Sequence, residues 1–159
     1  MSFSICFTGE PDQYLGDDPS VPFAMGRIVA GELDEGFAST LYEWSKRDYE
    51  VHWLQSLERL INGDTKIVLM TQYLDPAESL NLEWWALHRG EGDVVYVQNH
   101  LRFCDQLGKG FSVAEASKFL EDRITVDEDG NRISEWVVPF SEIRLFVDQM
   151  KQQKRGTSS

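Results

Sequence analysis

The chain has little of what usually marks chemistry. It carries two cysteines, Cys6 and Cys104, far apart and forming no Cys-x-x-Cys pair. Both lie in apolar, strand-like runs, which points to reduced, buried thiols in a cytoplasmic protein rather than to a disulfide framework. No run approaches the ~20 apolar residues of a membrane span. The opening "MSFSICFTGEPDQ" lacks the basic start and long apolar core of a signal peptide. Gly-x-Ser-x-Gly, P-loop and Rossmann fingerprints are all missing from the sequence. Bases are scarce as well, with 15 Lys and Arg against 27 Asp and Glu for a net charge of −12. Phosphate backbones are gripped largely by Lys and Arg, so this balance argues against nucleic acid and anionic membrane as partners. It suits a basic partner instead.

What is present is enough for one domain over residues 1–159. A chain of this size buries roughly 68–70% of its unfolded surface without help from metal or disulfide. Nine Phe, five Trp and five Tyr supply large side chains for that core. The acidity is concentrated early. Residues 1–45 contain Glu10, Asp12, Asp17, Asp18, Glu32, Asp34, Glu35 and Glu43 against the single base Arg27.

The order of elements reads as α+β, with antiparallel sheet and about three helices. Phe3, Ile5 and Phe7 alternate as in a strand. The Gly-, Pro- and Asp-rich stretch 8–23 reads as a loop. A short strand is expected over 24–33, and another in the ambiguous stretch 36–44. Residues 45–64 form the clearest helix. Tyr49, Trp53, Leu57, Leu60 and Ile61 make one apolar stripe, Ser45 can cap the start, and Asn62-Gly63 supplies the stop. Strands follow at 65–74, 80–89 and 93–103, the last two joined by the tight turn "GEGD". A second helix is expected over 111–124, with Ser112 and Glu115 at capping-box spacing. A strand over 132–140 and a third helix over 141–155, capped by Ser141, complete the order. The basic residues Lys151, Lys154 and Arg155 then complement the dipole of that helix's last turn.

The stretch "ITVDEDGNRISEW" (124–136) raises a calcium question. With Gly130 at position 6 of an EF-hand loop, Asp127 and Asp129 take positions 3 and 5. Positions 1 and 12 are Thr125 and Trp136, so the first carboxylate and the bidentate glutamate are missing. The stretch therefore reads as an acidic turn, and no metal or cofactor is expected. Its tip, Asp127, Glu128 and Asp129, is a carboxylate knob that a basic partner could use. His88 and His100 lie on neighbouring strands and could approach each other, while His52 sits in the first helix beside Trp53. His100 and Cys104 are four strand positions apart, roughly 13 Å, too far for a catalytic pair. In "EWW" (83–85) adjacent residues face opposite ways, so one tryptophan looks to the core and the other to a second layer or to solvent. Trp85 flanked by Glu83 and Tyr96 fits either packing under a helix or an exposed interface anchor.

Three blocks, "DYEVHWLQSLERL" (48–60), "VVYVQNHLRF" (94–103) and "GFSVAEASKFLEDRITVDEDGNRISEW" (110–136), resemble in order and spacing the CdiI immunity proteins of bacterial contact-dependent growth inhibition systems. The resemblance implies a Whirly-like fold of antiparallel sheet and packed helices. It also implies a function without catalysis: binding and neutralising the C-terminal toxin domain of a cognate CdiA effector, commonly a basic nuclease. An acidic inhibitor would meet such a toxin quickly by electrostatic steering. The competing reading is an acidic, phosphate-mimicking inhibitor of another nucleic-acid enzyme. A third is a small enzyme built on His88, His100 or Cys104. Surface chemistry nominates Glu32, Asp34 and Glu35, Glu83 with Trp85, and the knob Asp127, Glu128 and Asp129 as partner-binding residues.

Overall fold

The computed structural model describes residues 2–9, 13–15, 18–41, 44–72, 81–103, 123–127 and 129–157. In chain order the elements are β1 (Phe3–Phe7), β2 (Gln13–Leu15), β3 (Asp18–Ala30), β4 (Leu33–Thr40), α1 (Lys46–Ile61), β5 (Lys66–Gln72), β6 (Asn81–Arg89), β7 (Val95–Phe103), β8 (Glu135–Val138) and α2 (Phe140–Thr157). They form two four-stranded antiparallel sheets and two helices among the described residues. The sheet and helix composition is the α+β class read from the sequence.

In the first sheet β3 is central. Its residues Gly26–Ala30 pair with β1 on one side and β4 on the other, and β2 continues the β1 edge opposite the start of β3. The alternation of Phe3, Ile5 and Phe7 does what period-2 patterning requires: it sets them opposite Ala30, Ile28 and Gly26 on the core face. Gly26 is needed there. A Cβ at this position would stand 2.3 Å from the Phe37 ring, which lies across the glycine.

Two expectations for this sheet are corrected. The stretch 8–23 is more than a loop, because β2 and the first half of β3 lie in it. Pro22 lacks only a donor, and its carbonyl still accepts from the Leu41 N–H at 2.8 Å. The stretch 24–33 is not one strand, because Gly31 turns the chain at φ 64° between β3 and β4. Cys6 is also corrected: it faces out from β1 and is exposed and free. Cys104 lies outside the described residues.

The second sheet runs β5-β6-β7-β8. Strands β5, β6 and β7 fall in the runs read from the sequence, β8 takes only Glu135–Val138 of the expected 132–140, and Gly92 at φ 68° turns the β6–β7 hairpin. Helix α1 begins with a full capping box, in which the Ser45 hydroxyl accepts from the Asp48 N–H while the Asp48 carboxylate accepts from the Ser45 N–H. Its stripe buries Tyr49, Trp53, Leu57 and Leu60. Two neighbours on α1 also close the free edge of β5. The Met70 N–H donates to His52 Nε2 at 2.9 Å, and the Trp53 indole N–H donates to the Met70 carbonyl at 2.7 Å. Burial, aided by the nearby Arg59 charge, pushes the His52 pKa down to about 3, so the ring is a neutral acceptor. Ser39 Oγ donates to the Thr71 carbonyl and ties β4 to β5.

Helix α2 starts one residue before the expected cap, at Phe140. Ser141 lies inside the helix. Asp93, in the β6–β7 turn, accepts from the Ser141 N–H and hydroxyl, both at 2.8 Å, so the cap comes from another element. One core unites all of this: Phe3, Ile5, Ile28 and Phe37 of the first sheet, the α1 stripe, Ile67, Leu69, Trp85, Leu87, Val95 and Val97 of the second, and Phe140, Ile143 and Val147 of α2. The expected helix over 111–124 falls mostly outside the described residues. Its last two positions, Arg123 and Ile124, are not helical.

Candidate binding surface

Glu32, Asp34 and Glu35 are all exposed at the β3–β4 hairpin. They are not equivalent. Strand register sets Arg27 on the exposed face opposite Gly36 and near Asp34. The guanidinium donates to both Asp34 oxygens, at 2.6 and 2.5 Å. That bond holds the Asp34 carboxyl below the usual range and raises Arg27 further. Asp34 therefore presents a neutralised pair, whereas Glu32 and Glu35 carry the outward charge of the run.

The stretch from 123 to 135 is a short antiparallel ribbon. Val126 stands opposite Arg132, the Ile133 N–H donates to the Thr125 carbonyl at 2.9 Å, and the Asp127 N–H donates to the Asn131 carbonyl at 2.8 Å. At its tip Asp127 Oδ1 accepts from the N–H groups of Asp129 and Asn131, each at 2.9 Å, and Gly130 adopts φ 82°. This is the acidic turn read from the sequence, closed by its own amides. One knob carboxylate is thus occupied in building the turn, while Asp129 is exposed. Glu128 lies outside the described residues.

The root of the ribbon was not legible from the sequence. Arg123 forms a two-pronged bridge to Glu135, at 2.8 and 2.6 Å, and its guanidinium lies 3.6 Å over the Tyr96 ring. Gln98 Nε2 donates to Glu135 at 2.7 Å and to the Ile124 carbonyl at 2.8 Å. The bond from Arg123 is the main reason the Glu135 carboxyl sits below its ordinary value; burial opposes it. The cross-strand symmetry of "ITV" and "NRI" about the acidic turn signals the ribbon itself, not the contacts at its root.

Trp85 is a correction. It is 3% exposed, sits in the core and packs its ring 5.9 Å from that of Trp136. Register explains it: Trp85 pairs with Leu69 and shares the core face with Leu87. Trp84, on the opposite face, is buried too, so neither tryptophan reaches solvent. Glu83 lies on β6 opposite Leu101, and its side chain is outside the described ones. Register sets His88 and His100 apart along the sheet. They share a sheet face, but His88 pairs with Tyr96 and His100 with Trp84, four strand positions away and roughly 13 Å. A shallow cleft of ≈ 330 Å³ opens on α1, lined by His52, Gln55, Ser56, Glu58, Arg59 and Asn62. It contains neither of those histidines, and His52 is already occupied by Met70.

Residues 39–146 match the family described as the CdiI N-terminal domain. The chain belongs to the CdiI family. A CdiI relative, the immunity protein CdiI of Enterobacter cloacae subsp. cloacae, is 34% identical over 150 residues, covering 93% of this chain and 98% of its own. The fold agrees with a solved CdiI structure, the CdiA-CT/CdiI toxin and immunity complex from Enterobacter cloacae. There the TM-score is 0.83 at 29% identity, over 94% of this chain and 99% of that one. The match of whole lengths means that the shared CdiI architecture includes the β1–β4 sheet.

Proposed function

We propose that this chain is an immunity protein that binds the C-terminal toxin domain of its cognate CdiA effector and neutralises it by stoichiometric binding, without turnover. The observation that carries this reading is the near full-length likeness, in sequence and fold, to a CdiI protein whose solved structure is a toxin and immunity complex. The exposed acids support it. Glu32 and Glu35 on the first sheet and Asp129 on the ribbon present negative charge on a chain of net −12, which favours a basic partner. The proposal extends to a basic nuclease as the toxin, to a cytoplasmic site of action, and to a Whirly-like arrangement with a third helix that ends before Arg123. No described helix is long and apolar enough to cross a membrane.

The test is growth rescue. Cells expressing the CdiA C-terminal domain encoded beside this gene should grow when the chain is co-expressed, and calorimetry of the purified pair should give tight 1:1 binding. Continued growth arrest together with no measurable heat would remove the proposal.

A further inference from the structure

The ribbon carries more than charge. Just before its acidic tip stand two exposed branched aliphatics, Ile124 at 39% and Val126 at 49% exposure. Two positions apart on an extended segment, they share a face. A lone exposed aliphatic on a surface needs no explanation. These two differ because they are neighbours and because the backbone beneath them is held from several directions. Gln98 grips the Ile124 carbonyl, Ile133 grips the Thr125 carbonyl, and Val126 is bridged to Arg132. Arg123, clamped between Glu135 and Tyr96, anchors the segment to the second sheet. An apolar pair already ordered in this way loses little further freedom on binding.

Resting on the immunity reading above, we infer that the ribbon is an anchor of the toxin interface: Ile124 and Val126 seat against an apolar patch of the toxin domain, and the acidic tip meets a basic rim around it. Charge complementarity selects this occupant. A second copy of the chain brings another net −12 and another acidic tip to the same contact, and nucleic acid brings phosphates. A basic protein is the class of partner that pairs with the tip while covering the aliphatics. The two parts then have separable kinetic roles. Desolvated apolar contact sets how long the complex lasts, and exposed charge sets how fast it forms.

The experiment is stopped-flow association and dissociation of the full chain with the CdiA C-terminal domain encoded beside its gene. The double variant I124T/V126T keeps strand propensity and removes apolar surface. It should dissociate roughly tenfold faster than wild type with little change in association rate. D129K should slow association at low salt, and the difference from wild type should shrink at high salt. Circular dichroism checks the fold; if the double variant unfolds, V126T alone carries the same expectation at smaller size. Wild-type binding with dissociation unchanged in I124T/V126T would overturn this inference and leave the immunity reading standing. A wild-type dimer in sedimentation that I124T/V126T dissociates would overturn it as well, by assigning the face to a second copy. Absence of wild-type binding would sink both.

Discussion

His52 shows how one buried residue makes stability depend on pH. Its folded pKa is about 3, below the ordinary histidine value of 6.5, because burial excludes the charged ring. Between those values the unfolded chain binds a proton that the folded one does not. The stability is therefore fully present above pH ~6.5 and is lost as pH falls, by about 1.4 kcal/mol per unit for this group. Urea unfolding between pH 7 and 5 should show that slope, and H52Q, which keeps an acceptor for the Met70 N–H, should flatten it. Trp85 makes a different point. At 3% exposure it belongs to the core, so W85A should cost about 3–5 kcal/mol in denaturant unfolding. An interface residue would show a small stability loss and a large binding loss instead. The period-2 pattern of "EWW" separated the two tryptophans correctly, yet it could not say that both sides of the sheet are buried.

At the scale of elements, the structure borrows its helix ends differently. Helix α1 caps itself with Ser45 and Asp48, three residues apart in sequence. That kind of contact is local, and Ser45 was legible as the cap. Helix α2 takes its cap from Asp93, 48 residues earlier. Ser141, the expected cap, is a recipient rather than the donor of that service. D93A should therefore lower stability by about 1 kcal/mol, although Asp93 lies in an exposed turn far from α2 in sequence. Chemical denaturation of D93A measures this, and a loss near zero would deny the cap its role. The ribbon teaches the same lesson. Its acidic turn was legible from Asp127 and Gly130, while its root, joining Arg123 to Tyr96, Gln98 and Glu135, spans too much sequence to be read.

For the whole molecule, the decisive quantity is where the net charge is free to act. Counting acids does not answer that, because the charge of Asp34 is paired with that of Arg27. If the proposed toxin complex is steered electrostatically, E32K/E35K should slow association several-fold at low salt and weaken its salt dependence. D34N should have a smaller effect, since it changes the net charge by one unit where E32K/E35K changes it by four. Association rates across a salt series distinguish these outcomes; equal effects from both variants would show that the charges of Glu32 and Glu35 do not steer the toxin.

By itself the sequence determined the α+β class, the strands of the second sheet, helix α1 and its stripe, and the acidic character that points to a basic partner. These are encoded in short-range periodicity, capping chemistry and composition, each visible within a few residues. Only the tertiary structure decided that β3 runs through a Pro- and Gly-rich stretch, that Trp85 is core, that His88 and His100 stay apart, and that Ile124 and Val126 are exposed on an anchored ribbon. Each of these depends on pairing partners distant in the chain, and burial is a property of what lands opposite a residue rather than of the residue alone.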